Sequence, residues 1–316
     1  MKIVISGGSG QVGTLLARAF LREGHQVVVL ARTVQAAPWP VVRWDPRKLD
    51  GWASEIDGAD VVINLAGRSV NCRYTPANRR EIIESRVTSV QAVGQAIAQA
   101  KRQPGVWLQA STATIYAHSY DAPNDEATGV IGGGEANAPD TWRFSIEVAK
   151  AWEKALDDAV TPRTRKVKLR AAMVMSPDHG GIFDTLLTLV RRGLGGTSGD
   201  GRQYVSWIHE ADFIHAVKFL IERDMDGAVN LAAPNPLPNR AFMAELRHAW
   251  GAPIGLPAMK WMIELGAVFL RTESELILKS RRVVPGRLLA AGFRFEHGEW
   301  REAARALCAQ VRASAA

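Results

Sequence analysis

The sequence predicts an α/β protein with a Rossmann-type, doubly wound parallel sheet and a smaller, mainly helical C-terminal lobe. Apolar runs of strand length alternate with helical patterns over most of the first 230 residues. The first run, 3–5, leads directly into a glycine-rich turn and a helical pattern. Such alternation is typical of a parallel sheet covered on both faces, with ligands at the carboxyl ends of its strands.

The individual elements follow from local patterns. Thr75 and Pro76 supply an N-cap and a first-turn residue for a helix over about 76–101, and a second long helix is expected over about 140–159. Strands are predicted, where apolar residues form short runs, at 3–5, 27–30, 41–44, within 60–67, 106–110, 166–170 and 204–208.

Beyond residue 171 the alternation becomes less regular. Glycines at 180–181 and 193–196 bracket one more helix, and three prolines divide a helical C-terminal region. We therefore expect a Rossmann domain over 1–170, completed by sheet segments within about 204–232. The substrate or C-terminal lobe would comprise 171–203 and 233–316.

The glycine-rich turn is the most informative motif of the chain. It reads Ser6-Gly7-Gly8-Ser9-Gly10-Gln11-Val12-Gly13. Glycine at this spacing lets the backbone turn tightly, approach a pyrophosphate and pack helix against strand, while the helix N-terminus directs N–H groups at the anion. The motif predicts a bound dinucleotide, and the alternative is a turn without a ligand. The expected contacts are Gly7, Ser9, Gly10, Gln11, Val12 and Gly13.

The second strand indicates which dinucleotide is bound. An acidic residue after it would accept a hydrogen bond from the adenosine 2′-hydroxyl, whereas a guanidinium suits a 2′-phosphate. Arg32 and Thr33 stand there, which favours NADP(H) over NAD(H), unless Arg32 is a solvated loop cation. Further cofactor contacts are expected from Asp45, Leu65, Ala66, Gly67 and Ser111.

The composition is that of an ordinary soluble protein. The 316 residues are 47% hydrophobic and 22% charged, which is enough for a large core. The formal charge is +7, but no run of five or six like charges occurs, so we expect no nucleic-acid partner. Attraction for small anions, or a mildly basic surface, explains the charge.

The cysteines and the chain start bear on location. Cys72 and Cys308 match no metal or redox spacing, which favours a reducing compartment. The chain enters a strand at once, without a signal-peptide pattern, and the apolar run 261–270 contains Glu264 and is too short to span a bilayer. We expect a cytoplasmic protein without membrane contact.

Ordered motifs along nearly the whole chain resemble the extended short-chain dehydrogenase/reductase superfamily, and within it the atypical, sugar-nucleotide-epimerase-like family. The last motif resembles the small C-terminal domain of unknown role that this family carries. The motifs are the glycine turn, Asn64-Leu65-Ala66-Gly67, Ser85-Arg86-Val87, Trp152-Glu153, Gly195-Gly196, Ser206-Trp207-Ile208-His209 with Asp212, Asn230-Leu231-Ala232-Ala233-Pro234, and Pro285-Gly286-Arg287-Leu288-Leu289 with Gly292-Phe293-Arg294-Phe295.

The resemblance implies a catalytic hydroxyl beside a tyrosine and a lysine four residues apart, because a phenol carries a proton near neutrality only with a cation nearby. By this resemblance, Thr112 stands at the position of the catalytic hydroxyl residue. The tyrosine and lysine positions, however, hold Ser145 and Ala149, and Lys150 is one residue too late. Tyr116 is the phenol nearest to Thr112 in the sequence. Two roles remain open for it, that of a catalytic acid and that of a buried structural tyrosine.

Two further departures concern the substrate. Where sugar-nucleotide enzymes of this type carry an arginine for the diphosphate, this chain has Val205-Ser206. Arg86 stands where the superfamily commonly has an asparagine. It is expected to hold a substrate carboxylate or a cofactor phosphate, or else to form a helix-surface salt bridge, for example with Glu84.

No metal site is expected. His209, Asp212 and His215 recur every three residues, but positions 209 and 215 diverge around a helix and no further ligand follows. His209 is expected to position the segment 195–209 through hydrogen bonds of its ring.

Three functions remain open on the sequence alone. The first is an NADP(H)-dependent oxidoreductase of a small carbonyl compound or alcohol, either neutral or anionic, in which Tyr116 or ordered water moves the proton. The second is an NADP(H)-binding regulator or scaffold that has lost the proton carrier. The third is a nucleotide-sugar epimerase. The resemblance also implies a homodimer formed through the two long helices.

Overall fold

The computed structural model describes residues 1–135, 138–259, 261–262 and 275–315. Its strands are β1 (Lys2–Ser6), β2 (Gln26–Ala31), β3 (Val41–Arg43), β4 (Val61–Asn64), β5 (Val106–Thr112), β6 (Arg165–Ala171), β7 (Met173–Met175), β8 (Tyr204–Val205), β9 (Trp207–His209), β10 (Gly227–Leu231) and β11 (Leu237–Pro238). Its helices are α1 (Gln11–Arg22), α2 (Pro76–Gln99), α3 (Asp140–Asp158), α4 (Ile182–Arg191), α5 (Glu210–Glu222), α6 (Asn239–Trp250), α7 (Glu275–Leu278), α8 (Gly286–Ala290) and α9 (Trp300–Ala315).

Seven of the strands form one parallel sheet in the order β10-β6-β5-β4-β1-β2-β3. The order reverses between β1 and β4, which is the point where a doubly wound sheet opens a crevice at the carboxyl ends of its strands. The predicted Rossmann-type fold is confirmed. Within the described ranges, no helix is both long enough and apolar enough to cross a membrane. From residue 263 on, the apolar run 261–270 lies outside the described residues.

Alternation along the strands divides the core between the two faces of the sheet. In β1, Ile3 and Ile5 face α1 and α5, whereas Val4 faces the side covered by α2 and α3. These residues are fully buried. Burial on both faces explains why the strands read as continuous apolar runs rather than as alternating patterns.

A separate core lies in the C-terminal lobe. It joins α4, α6 and α9, and Trp300 stacks on Phe242 with ring centroids 4.0 Å apart. The indole N–H of Trp300 donates to the backbone oxygen of Phe242 at 2.8 Å. The segments before and after β10 therefore share one hydrophobic cluster.

Only part of the segment 204–232 completes the main sheet. Strand β10 is its edge strand, but β8 pairs with β11 and β9 pairs with β7, so the expected sheet segment at 204–208 lies outside it. Ser206 separates β8 from β9, and its hydroxyl bonds the backbone oxygen of Arg281 and accepts from the N–H of Val283 at 2.8 Å. This contact ties the segment to the C-terminal region instead.

Residues 279–284, here called the strap, hold the loop that follows β5. The Lys279 Nζ donates to the backbone oxygen of Thr114 at 2.8 Å, and the Ser280 N–H donates to Nδ1 of His118 at 2.9 Å. The N–H of Val284 donates to the oxygen of Asn124 at 3.0 Å. The strap thus fixes a loop about 160 residues earlier in the chain.

Candidate active site at the carboxyl edge of the sheet

The glycine turn between β1 and α1 is closed too tightly for side chains at two of its positions. Gly7 has a φ of +71°, and a Cβ there would lie 2.7 Å from the Cα of Ala66. A Cβ on Gly13 would lie 2.4 Å from the Cα of Gly8. The turn therefore packs against the segment after β4, and α1 packs against the turn.

The same turn offers unused hydrogen-bond donors. Helix α1 begins at Gln11, no side chain caps it at Gly10, and its first turn has no acidic residue. The Gln11 Nε2, packed against Gly181, is buried and has no partner in the described part of the chain. An uncapped helix N-terminus with an orphaned amide donor suits an anionic ligand such as a pyrophosphate.

Arg32 lies exposed directly after β2. Strand pairing sets Ala31 of β2 opposite Arg43 of β3, so the exposed guanidinium of Arg43 belongs to the same edge of the sheet as that of Arg32. Neither forms a hydrogen bond or ion pair with another residue that the structure describes. Thr33 is exposed, as is Asp45, whose carboxylate accepts from the N–H of Arg47 at 3.0 Å. These residues share one edge of the sheet.

The segment 64–67 links the glycine turn to α2. Asn64 is fully buried, and its amide donates to Oε1 of Gln109 at 3.0 Å while its Oδ1 accepts from the N–H of Ala66 at 3.1 Å. A Cβ on Gly67 would lie 3.1 Å from Cγ of Arg86. Leu65, Ala66 and Gly67 therefore lie between the turn and Arg86.

Ser111, near the end of β5, belongs to a buried ion-pair network. Its hydroxyl donates to Oε1 of Glu153 at 2.6 Å, and Glu153 pairs with Arg170 through both oxygens at 2.8 and 2.9 Å. Burial opposes ionisation of Glu153, but the hydrogen bonds from Arg170 and Ser111 outweigh it and lower its pKa. The network engages the hydroxyl that the sequence assigns to cofactor binding.

Tyr116 belongs to the same network. Its hydroxyl accepts from Nη1 of Arg170 at 2.9 Å and donates to Oδ1 of Asn230 at 3.0 Å. Tyr116 is 2% exposed, and burial raises its pKa despite the neighbouring guanidinium. This geometry favours the structural alternative for Tyr116.

A cavity of about 110 Å³ includes the end of β5 in its lining. The Oγ1 of Thr112 accepts from the N–H of Thr114 at 3.1 Å, so its hydroxyl hydrogen is available to another acceptor. The polar lining consists of Tyr74, Arg86, Thr112, Thr114, Ser145, Glu275 and Arg281. The apolar lining consists of Val70, Ile82, Phe144, Val148 and Trp152.

The positions expected for a tyrosine and a lysine carry neither group. The Ser145 hydroxyl donates to the Glu275 carboxylate, Ala149 is fully buried, and Lys150 is exposed on another side of α3. The hydroxyl of Tyr74, which precedes α2, lies 3.5 Å from Oγ of Ser145. A phenol from a different segment therefore occupies this part of the cavity.

Arg86 enters the cavity from α2. Its Nη1 donates to the backbone oxygens of Arg68 and Ile82, both at 3.0 Å, and its guanidinium lies 4.9 Å from the ring centroid of Trp152. Within the part of the chain that the structure describes, Arg86 forms no ion pair with Glu84. Burial lowers the pKa of Arg86 to about 10. The guanidinium is still charged at neutral pH.

The strap contributes cations that the sequence alone did not single out. Arg281 lines the cavity, and its Nε donates to Oγ1 of Thr114 at 3.1 Å. Lys279 is buried, and burial together with Arg281 lowers its pKa to about 8. The sequence signal that could have identified these cations is the presence of three of them within Lys279-Ser280-Arg281-Arg282. No comparable sequence signal marks Tyr74 as a cavity residue.

The residues considered as metal ligands have other partners, and for His215 the Nδ1 lies 3.3 Å from Oε1 of Glu296. The Nδ1 of His209 accepts from the N–H of Ala211 at 3.1 Å and caps α5. The Asp212 carboxylate accepts from the N–H groups of Glu296 and His297 at 2.8 and 2.9 Å. These contacts hold the C-terminal region against β9 and α5.

A wider open depression of about 860 Å³ lies at the opposite edge of the sheet. It is lined by residues at the starts of strands, including Gly105, Arg165 and Gly227. Ligands of doubly wound sheets bind at the other edge, where the glycine turn and Thr112 lie.

Comparison with known families agrees with this geometry. Residues 3–232 match the model of the NAD dependent epimerase/dehydratase family. The chain belongs to this family. Residues 260–307 match a second model, a domain of unknown function (DUF1731), which includes the strap. The resemblance drawn from the sequence motifs is confirmed.

Relatives match over almost their whole length. The epimerase family protein SDR39U1 of Bos taurus is 31% identical over 307 residues, which cover 95% of this chain and 97% of that protein. The epimerase family protein YfhF of Bacillus subtilis is 28% identical and covers 95% of both chains. The crystal structure of human epimerase family protein SDR39U1 with NADPH has a TM-score of 0.85 and 26% identity, covering 98% of this chain and 99% of that one.

Proposed function

We propose that the chain is an NADP(H)-dependent oxidoreductase that interconverts a small carbonyl compound and its alcohol. The position of Thr112 is the observation that carries the proposal. Its hydroxyl ends β5, lines a cavity, and lies at the sheet edge that also holds the glycine turn. That edge is where ligands of this fold bind and where a cofactor and a substrate would meet.

The cofactor would lie along the glycine turn. Gly7, Gly10 and Gly13 let the backbone approach the pyrophosphate, and Arg32 is free to pair with the 2′-phosphate. The NADPH in the human relative supports NADP(H) over NAD(H). When bound, NADPH supplies the hydride for the carbonyl carbon.

The remaining chemistry belongs to the cavity side chains. Thr112 donates its hydroxyl hydrogen to the substrate oxygen and so orients the carbonyl group. We assign the proton that completes the alcohol to Tyr74 or to cavity water. Tyr116 remains the candidate that the sequence proposed, but its hydroxyl is shared between Arg170 and Asn230.

The test is oxidation of NADPH by the purified protein with a panel of small carbonyl compounds. We expect turnover that falls about 100-fold in Thr112→Ala, the usual effect of removing one donor to a reacting oxygen. Thr188→Ala, which lies on α4 outside the cavity, should retain wild-type turnover. Absence of turnover across the panel, with NADPH bound, would refute the proposal.

One observation favours a second function, an NADP(H)-binding regulator or scaffold. Ser145 and Ala149 replace both members of the usual proton-transfer pair. Such a protein would bind NADPH, gain thermal stability from it, and change its protein partners with cofactor state. Pull-downs with and without NADPH that recover the same proteins would exclude the regulatory function.

Location and assembly are further proposals. A cytoplasmic location rests on the two separate cysteines, of which Cys308 is buried. A homodimer would pair the long helices α2 and α3 with those of a second copy. Cell fractionation and size-exclusion chromatography test these proposals.

A further inference from the structure

Arg86 is a cavity cation whose charge has no counter-ion in the described part of the chain. Its Nη1 donates hydrogen bonds to two backbone oxygens, while its Nε and Nη2 have no hydrogen-bond partner among the described residues. A charged group removed from water is costly unless an opposite charge or hydrogen bonds replace the water. The donors that remain form a planar fork, which matches a carboxylate.

The carboxylate that lines the cavity is committed to other groups. Glu275 accepts from the Ser145 hydroxyl and lies 4.0 Å from Nζ of Lys279. The guanidinium of Arg281 lines the same cavity but already interacts with Glu275, so Arg86 is the cation that remains for an anion. The cavity therefore favours an anionic ligand.

The volume of the cavity limits the size of that ligand. Pockets for drug-sized ligands measure about 300–1,000 Å³, so a cavity of about 110 Å³ favours a ligand of only a few non-hydrogen atoms. A nucleotide sugar is far larger. Thr112 and Arg86 line this same small space, which favours a ligand whose carbonyl group and carboxylate are close neighbours.

We propose that the cavity binds a short 2-oxo acid, with its carboxylate on Arg86 and its keto oxygen on Thr112, and that the acid is reduced to the 2-hydroxy acid. The chemistry rests on the proposed oxidoreductase function, whereas the binding rests on Arg86. The keto carbon gains a hydride from NADPH, and the keto oxygen gains a proton from Tyr74 or water. The C=O π bond breaks, C–H and O–H bonds form, and NADPH is oxidised to NADP⁺.

The first experiment measures binding without turnover. Oxamate, an unreactive analogue of a short 2-oxo acid, is titrated by calorimetry into protein saturated with NADPH. We expect Arg86→Gln to weaken oxamate about 10- to 100-fold, the range for a lost charge-assisted hydrogen bond. Arg102→Gln is the matched control, because Arg102 is exposed and pairs with Asp60 far from the cavity. NADPH affinity reports whether each variant is folded.

The second experiment needs only the wild-type protein. Pyruvate and 2,3-butanedione have the same number of non-hydrogen atoms, but only pyruvate carries a carboxylate. With NADPH, we expect kcat/KM for pyruvate to exceed that for 2,3-butanedione at least about 10-fold. This comparison holds even if Arg86→Gln fails to fold.

The outcomes separate the two proposals. Oxamate binding that is absent, or equally tight in Arg86→Gln, overturns the 2-oxo acid site, and so does equal turnover of 2,3-butanedione. An Arg86→Gln variant that loses NADPH affinity but keeps oxamate affinity also overturns it, because the guanidinium would then serve the cofactor. Oxamate binding through Arg86 without reduction of any carbonyl compound supports the anion site and refutes the oxidoreductase.

Discussion

A substitution at Gly10 should affect the binding of NADPH more than the stability of the fold. A Cβ on Gly10 would lie 3.9 Å from the nearest atom, the oxygen of Gly7, and its φ of −80° is open to any residue. Gly10→Ala should therefore fold and lose about 1 kcal/mol at most, because alanine is a poorer N-cap than glycine. With NADPH, the new methyl group would occupy the space in which the backbone approaches the pyrophosphate.

The expected loss of affinity follows from that overlap. Overpacking of a close contact costs about 1–3 kcal/mol, or roughly 5- to 150-fold in Kd. At an NADPH concentration of 100 times its Kd, the wild-type protein gains about 2.7 kcal/mol of stability. A variant that binds 100-fold more weakly gains only about 0.4 kcal/mol at that concentration. Thermal unfolding with and without NADPH, together with calorimetric titration, measures both quantities.

Gly13→Ala is the contrasting variant. Its Cβ would lie 2.4 Å from the Cα of Gly8 and 2.6 Å from its oxygen, both backbone atoms that cannot rotate away. This variant should lose about 1–3 kcal/mol of stability before any cofactor is added. A Gly10→Ala protein that binds NADPH as tightly as the wild type would show that the turn does not approach the pyrophosphate.

Three other variants test separate parts of the site. Arg32→Ala should weaken NADPH about 10- to 100-fold by calorimetry but leave NADH unchanged, because only NADPH carries the 2′-phosphate; an equal effect on both would contradict this. Tyr74→Phe should lower kcat about 100-fold or more and keep NADPH affinity. Tyr116→Phe should lower the melting temperature and keep kcat, because its hydroxyl bonds Arg170 and Asn230. The reverse pattern would identify Tyr116 as the proton donor. Burial and Arg281 lower the pKa of Lys279 from 10.5 to about 8, so between these two pH values the unfolded chain binds more protons than the folded protein. The stability of the wild type relative to Lys279→Met, measured by denaturant titration, should therefore rise with pH in this range, by at most about 1.4 kcal/mol per pH unit. A stability difference that stays flat or falls would contradict the burial of Lys279.

The sequence predicts the elements whose signals are local. The strand 106–110 and the helix 140–159 agree with β5 and α3 within two residues, because apolar runs, caps and glycines record the local backbone. The position of Thr112 at the end of β5 follows from the same strand. The segment 204–208 differs because Ser206 bonds the strap, a partner that no local pattern indicates.

Contacts between distant segments could not be predicted in this way. Tyr116 was the nearest phenol in sequence, but its hydroxyl meets Arg170 and Asn230, which are 54 and 114 residues away. The phenol that lines the cavity is Tyr74, and Glu275 and Arg281 reach it from the far end of the chain. Side-chain chemistry is visible in one sequence, whereas which segments converge depends on tertiary packing.

The most direct test is a crystal structure of the protein with NADP⁺ and oxamate. We expect the pyrophosphate on the N–H groups of the glycine turn, the 2′-phosphate at Arg32, and the nicotinamide C4 facing the cavity beside the Thr112 hydroxyl. The oxamate carboxylate should lie on Arg86. A nicotinamide that points away from Thr112, or a 2′-phosphate that does not contact Arg32, would contradict the account.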